Sequence, residues 1–402
     1  MRRFLTIAVV FCLFGGAPLG VVAVDPDAAI ERPGGRPDDF AIIFIMGYAG
    51  DHFPKDAVQF EALIKAVKGA HYNTVLCKYE PWRAEICRKH GIKIMPDLLV
   101  PEHHVYKNAE GAKALCRSLK GSDVVYAYHI WSDRIGGTVA GRSRDLKNVR
   151  QWDATHPVYV GSYNARALAD LQAPDLIGYY DFHWQRGGHW RHLSRAMQAA
   201  RKTDSFFLKY AHANPGRIGV GNYNRVMYTI STSLAFGLKG YMYHHTGEEI
   251  DKQTQKWKPL GRDLARVNAE VARLGPELMR IGNPVAVYST AVTRTAKDRP
   301  TGREGPAVPE GLQAIPENAW FQVRRGEAVI GVFDRLDEQD VILVANHNAY
   351  QAQPMDIRFL GGVKSVGRFD RRAGRWVNLT LTEGEVRFEV PAAAMELVRV
   401  ER

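Results

Sequence analysis

The sequence predicts an α/β chain in which a (β/α)8 barrel is followed by an all-β antiparallel sandwich. Between Phe40 and Met279, short apolar runs alternate with amphipathic stretches eight times. After Gly282-Asn283-Pro284 the helical period disappears, and short alternating runs separated by Gly, Asp, Asn or Pro take over. Near the centre, Val124 to Arg134 reads VVYAYHIWSDR, a period-two strand pattern that ends in the carboxylate of Asp133. Alternation of strands and helices calls for a parallel sheet, and eight units in roughly 245 residues match the ~250 residues usual for such a barrel.

The elements follow in order. AIIFIMGYAG is the first strand, and Phe60, Leu63, Ile64 and Val67 give the helix from Asp56 to Gly69 its apolar face. YNTVLCKYE is the second strand, and the helix from Trp82 to His90 is stopped by Gly91. IKIMPDLL is the third, followed by a helix from Ala109 to Lys120 and then by the central strand. A helix from Arg144 to Trp152, the strand HPVYVGSYN and the short helix ARALADLQA come next. DLIGYYDFHW is the sixth strand, with Trp190 to Lys202 as its helix; SFFLKYAHAN is the seventh, with Tyr223 to Phe236. GLKGYMYHHTGEE is the eighth, closed by a long helix from Leu260 to Met279. The sandwich runs are VAVYSTAVT, AWFQVRRG, EAVIGVFD, DVILVANHN, MDIRFLG, KSVGRFD, RWVNLTL, EVRFEV and MELVRVE. Thr295 to Asn318, with four prolines and three glycines, reads as a long loop lying over another surface.

Composition bounds the remainder. Hydrophobic residues at 46% and charged residues at 24% are ordinary for a globular chain. Residues 1–23 have two arginines, an apolar run and the small-residue pattern Val21-Val22-Ala23, which reads as a secretory signal peptide rather than a membrane span. Residues 24–38 read as a flexible leader, 39–282 as the barrel and 283–402 as the sandwich. The expected location is secreted or periplasmic, without stable membrane insertion. The formal charge of +11 stays basic without Arg2 and Arg3. It serves solubility, or it steers an anionic partner. Scattered basic residues and the absence of a binding module argue against nucleic acid. After Cys12, the odd set Cys77, Cys87 and Cys116 has neither a disulfide framework nor zinc spacing and reads as buried thiols. Asn378-Leu379-Thr380 is a glycosylation sequon. Oligomeric state is not legible.

Catalytic residues of such barrels collect at the C-terminal ends of the strands. Asp51, Glu80, Asp97, Glu102, Asp133, Asp181, Glu248 and Glu249 stand there. Asp133 and Asp181 form the leading pair, because Asp181 lies among aromatics in YYDFHW, where lost hydration raises a carboxyl pKa and suits a general acid. Glycoside hydrolysis needs such an acid and a second carboxylate. Structural readings stand beside these: a helix N-cap for Asp133 and a hydrogen bond to tyrosines for Asp181. Glu248 and Glu249 are further candidates for the second carboxylate, or a solvated loop. Glu80 reads as a helix N-terminal acid, Asp97 as a tie at the barrel rim, and His129 as a hydrogen-bonded core residue. Tyr48, Tyr79, Trp131, Tyr163, Trp184 and Tyr210 put aromatic surface near the strand ends, where sugar rings stack. His183, His212, His245 and Arg186 supply polar contacts, Arg186 for a carboxylate or sulfate. Neither zinc spacing nor HExxH occurs, so no metal and no cofactor is expected. A His or Tyr base acting on a uronic acid is the lyase alternative, and a non-catalytic glycan-binding barrel is another.

YNTVLCKYE, HGIKIMPDL, YHIWSDR, HPVYVGSYN, PDLIGYYDFHW and YNRVMYTISTSLAFGLKGYMYHH carry a resemblance to the secreted bacterial barrel glycoside hydrolases. The resemblance implies a carbohydrate substrate. In relatives of the retaining β-glycosidase type, a Glu follows the fourth strand and another the seventh. Here Asp133 follows the fourth, and the seventh ends in Tyr210-Ala211-His212-Ala213-Asn214 without a carboxylate. The clan that includes α-galactosidases is similar in having aspartates after the fourth and sixth strands and then a sandwich, positions that Asp133 and Asp181 fit.

Overall fold

The computed structural model describes residues 37–46, 54, 56–131, 138–181, 189–212, 222–244, 249–251, 253–292, 307–336 and 339–402, with only the backbone described for Asp181, His212, Asn222, His244, Arg335 and Leu336. Met1–Glu31 falls outside them; the rest of the described chain belongs to one compact unit. The barrel elements are β1 (Ala41–Ile45), α1 (Ala57–Gly69), β2 (Thr74–Cys77), α2 (Pro81–Lys89), β3 (Lys93–Pro96), α3 (Ala109–Leu119), β4 (Tyr128–Trp131) and α4 (Val139–Trp152). They continue with β5 (Val158–Ser162), α5 (Ala165–Ala169), β6 (Leu176–Asp181), α6 (His189–Lys202), β7 (Phe206–His212), α7 (Asn222–Ala235), β8 (Leu238–His244) and α8 (Pro259–Arg280).

Local chemistry sets the helix starts. The side chains of Asp56, Asn108, Thr138 and Asn164 each accept a backbone N–H of the first turn that follows, which satisfies donors that a helix leaves orphaned. Glu80 departs from this. Its carboxylate makes no cap bond and instead pairs with Arg83 at 2.8 Å.

The eight strands are parallel in the order β3-β2-β1-β8-β7-β6-β5-β4. Bridges Ile94–Val125 and Asp97–His129 join the two ends and close the barrel. Alternation divides the buried side chains. Ile43, Ile45, Met95, Ala127, Tyr159, Tyr180, Leu208 and Tyr210 fill the barrel interior, while Phe44, Val75, Ile94, Tyr128, Val160 and Phe207 face the helices. Cys77, Cys87 and Cys116 are free and buried, and burial pushes the Cys77 and Cys116 thiols up to about 12.

The all-β part has strands β9 (Pro284–Ser289), β10 (Gln313–Ala314), β11 (Phe321–Arg325), β12 (Ala328–Leu336), β13 (Gln339–Asn346), β14 (Gln353–Phe359), β15 (Ser365–Asp370), β16 (Arg375–Asn378), β17 (Glu385–Val390) and β18 (Met395–Glu401). A seven-stranded sheet, β10-β9-β12-β13-β18-β15-β16, covers a three-stranded one, β11-β14-β17. All pairs are antiparallel except β9 with the short β10. The larger sheet is buried on both faces: Ile330, Ile342, Val344 and Val398 fill the sandwich, and Val329, Val341, Leu343 and Leu397 join the core of the barrel helices. Gly331 permits the contact, since a Cβ there would stand 2.2 Å from the carbonyl oxygen of Ala235 in α7. The described part of the Thr295–Asn318 loop lies on α6, where Ser194 Oγ donates to the carbonyl of Gly311 at 3.1 Å.

His347 sits at this junction, bonded to Ser289 Oγ at 2.9 Å and packed against Trp190 at 5.2 Å. Burial, with His189 nearby, pushes its pKa down to about 3 from 6.5. The folded pKa is the lower one, so the unfolded chain takes up the proton first. Stability present above pH 6.5 is therefore lost as pH falls towards about 3. The thermal midpoint should fall less steeply between neutral and acid pH in His347→Gln than in the parent, and parallel slopes would remove His347 from the account.

Candidate functional site at the barrel mouth

The C-terminal mouth is built around two inward-facing side chains on adjacent strands. Asp97 follows β3 two residues after the inward Met95, and His129 follows the inward Ala127 on β4. His129 Nδ1 lies 2.8 Å from Asp97 Oδ1, and both residues are 1% exposed. Asp97 Oδ1 also accepts the N–H of Leu99 at 3.1 Å. This contact fixes the orientation of the imidazole ring across the seam between β3 and β4.

Tyrosines from the next three strands rise from this pair. The ring of Tyr159 on β5 stacks on His129 at 5.4 Å. Tyr180 on β6 meets Tyr210 on β7 edge-on at 4.6 Å, and Tyr163, just past β5, leans on Tyr180 at 4.8 Å. Tyr159 and Tyr210 are buried, whereas Tyr163 is 50% exposed, so the aromatic wall runs from the interior out to solvent. Its rings suit a sugar face. On the opposite rim, Lys78 Nζ reaches Glu102 Oε1 in the loop after β3 at 2.7 Å and holds that carboxyl below its ordinary value.

Of the residues singled out in the sequence, Tyr163 and Tyr210 come together in this wall. Asp181 ends β6 with its backbone opposite Ala211, and His212 ends β7 opposite His244. Tyr79 is half-buried past β2 against the helix-side core, and burial raises its phenol pKa. Asp133, Glu248, Tyr48, His183, Trp184, Arg186 and His245 lie outside the described residues. Among the described residues no cluster of His, Cys, Asp and Glu fit to hold a metal ion occurs, and no helix is long and apolar enough to cross a membrane.

Two expectations are corrected. Strict alternation puts Trp131 on the side of His129, but the register between β4 and β5 shifts between these residues. An extra residue in a strand turns the following side chain. Trp131 therefore faces α4, where the Arg142 guanidinium lies 4.9 Å from its ring and 5.4 Å from that of Tyr106. It is no platform at the mouth. Glu249 is 1% exposed and accepts the Tyr72 hydroxyl at 3.0 Å. Tyr72 in turn stacks on Trp257, among helix-side residues that include Tyr241, Tyr243 and Asn268 of α8. Burial, then the charge of Glu249, holds the Tyr72 hydroxyl well above its ordinary pKa. Glu249 thus belongs to a structural network outside the barrel wall.

The Asp97–His129 pair joins two residues that sequence reading treats singly, as a rim tie and a core histidine. Its available signal was parity, since both share the inward face of their strands; their adjacency follows only from barrel closure.

No family model and no curated protein matches the chain. Solved structures do. An α-amylase from Geobacillus thermoleovorans complexed with acarbose is 10% identical, with 92% of this chain and 99% of that chain covered and a TM-score of 0.51. A glycoside hydrolase of family 5 from Bacteroides vulgatus is 12% identical, with 90% and 89% covered and a TM-score of 0.53. A further glycoside hydrolase is 12% identical, with 90% and 92% covered and a TM-score of 0.53. At such identity the likeness speaks of architecture, and the chain has the (β/α)8 barrel and trailing β-sandwich seen in these glycoside hydrolase structures.

Proposed function

We propose that the chain is a secreted or periplasmic glycoside hydrolase that cleaves an anionic poly- or oligosaccharide, uronic or sulfated, with Asp133 and Asp181 as its carboxylate pair. One observation carries the reading: β4 and β6 both pair with β5. Their lips are therefore two strand spacings apart, ~10 Å between backbones. Glycosidases hold their two carboxyl groups ~5 to 9.5 Å apart, a separation that residues on lips two strands apart can span. Asp181 ends β6, and Asp133 follows the last residue of β4 by two. The shared architecture with an α-amylase and a family 5 hydrolase supports the same reading. Glu248, past β8, is the reserve carboxylate. The basic charge of the chain supports an acidic substrate.

The Asp97–His129 pair beside Tyr159 favours a second reading, a lyase in which His129 takes the proton α to a uronic carboxylate and the glycosidic oxygen leaves. Product release from neutral, uronic and sulfated glycans separates the two. We expect saturated reducing products from the parent and none from folded Asp133→Asn or Asp181→Asn. Unsaturated, UV-absorbing products that vanish in His129→Gln would establish the lyase. Binding without any product would leave a glycan-binding barrel.

A further inference from the structure

A groove of about 660 Å³ lies on the outer side of the barrel between α5 and α6. Its origin is the length of α5, five residues against the fourteen of α6; at 1.5 Å per residue α5 spans ~7 Å of a ~21 Å helix. The flank of α6 left open carries His192, Arg195, Ala199 and Lys202, spaced as i, i+3, i+7 and i+10, so they share one helix face. Arg166 of α5 faces them across the groove.

The charge of this groove is one-sided. Lys202 pairs with Asp170 at 3.1 Å. The guanidinium groups of Arg166 and Arg195, both exposed, have no carboxylate partner among the described residues. His192 is already oriented, with Nδ1 2.7 Å from the Tyr179 hydroxyl. The groove also shares a residue with the barrel mouth. Tyr163 lines it and, 4.8 Å from Tyr180, ends the aromatic wall described above. Tyr163 thus borders both the mouth and a groove whose two planar cations have no carboxylate partner among the described residues, and guanidinium groups match carboxylate and sulfate groups in a bidentate manner.

We propose that the α5–α6 groove is a binding subsite for the acidic groups of a glycan chain, with Arg166 and Arg195 as its anion contacts and Tyr163 as the stacking link to the mouth. The assignment rests on the glycan reading above. Titration calorimetry on the full chain tests it, using neutral, uronic and sulfated oligosaccharides of equal length at low and high salt. The parent should prefer the acidic chains, and the preference should shrink with salt. In Arg166→Ala/Arg195→Ala, with its thermal midpoint unchanged, the preference should fall about tenfold, as two partly solvated charge contacts provide. Arg166→Lys/Arg195→Lys should retain most of it. The uronic and sulfated arms show which anion fits. An acidic preference equal in parent and alanine variant, or none in the parent, overturns the subsite. Cleavage is scored separately: intact cleavage with an unchanged preference removes the groove alone, whereas arginine-dependent binding without cleavage supports the groove and removes the hydrolase.

Discussion

Gly178→Ala should lower the unfolding free energy by about 3 kcal/mol, the upper end of what overpacking one methyl group costs. Gly178 lies in β6 beneath the Tyr159 ring. An added Cβ would stand 1.7 Å from Tyr159 Oη, 2.2 Å from Cζ and 2.6 Å from Cε2. The obstacle is a ring and not a pliable chain end. Tyr159 is fully buried, and its other face lies on His129, so the ring moves only by disturbing the Asp97–His129 pair. Denaturant unfolding measures the loss. Tyr159→Leu, made in the Gly178→Ala background, should recover part of it, giving a favourable coupling between the two positions. Gly178→Ala unfolding at the parental midpoint would mean that the ring has room to turn.

Most of the fold was legible because it rests on signals that act over a few residues. Eight strands and eight helices of the barrel appear among the described residues in the expected order, with ends displaced by a few positions. Asp56 caps α1 from the place where the pattern starts it, and Phe60, Leu63, Ile64 and Val67 are its buried face. The nine runs of the all-β part are strands as well, and only the two-residue β10 had no signal.

The site was less legible because its arrangement depends on contacts between distant positions. Period-two reasoning works on β4 until Ile130, where the register shifts and Trp131 goes to Arg142 and Tyr106. Nothing in YHIWSDR distinguishes a regular strand from one with an extra residue. Glu249 looked like an exposed loop acid beside Glu248. What buries it is the return of the chain, in which Lys258 N–H bonds the Glu249 carbonyl at 2.8 Å and Ile250 bridges Trp257. Parity of Asp97 and His129 was readable, but their bond requires β3 and β4 to meet at the closing seam.

Arg371→Met should cost about 3 kcal/mol at neutral pH, and the cost should shrink on acidification. Arg371 follows β15 and ties the two parts of the molecule together. Its Nη1 lies 2.5 Å from Glu270 Oε2 on α8, and its Nη2 lies 3.2 Å from Glu396 Oε1 on β18. Tyr223 of α7 donates to the other oxygen of Glu270. Without the guanidinium, two carboxylates face the junction and the buried one, Glu396, loses its partner. Glu270 keeps some solvent, which holds the cost at the low end for a broken buried pair. Burial already raises the Glu396 pKa above its ordinary 4.5, against the pull of Arg371 and then Arg368. Removing Arg371 raises it further. A carboxyl whose folded pKa exceeds its unfolded one stabilises the fold while protonated and loses that contribution as pH rises through the folded value. The variant should therefore suffer most at pH 7 and least at pH ~3, well below the ordinary value of 4.5, where both states hold the proton. Urea unfolding at the two pH values, together with Arg371→Met/Glu396→Gln, decides the matter. The double variant should regain most of the neutral-pH loss and show little pH dependence. A cost equal at both pH values would assign Arg371 to packing, leaving the carboxylates of α8 and β18 no part in holding sandwich to barrel.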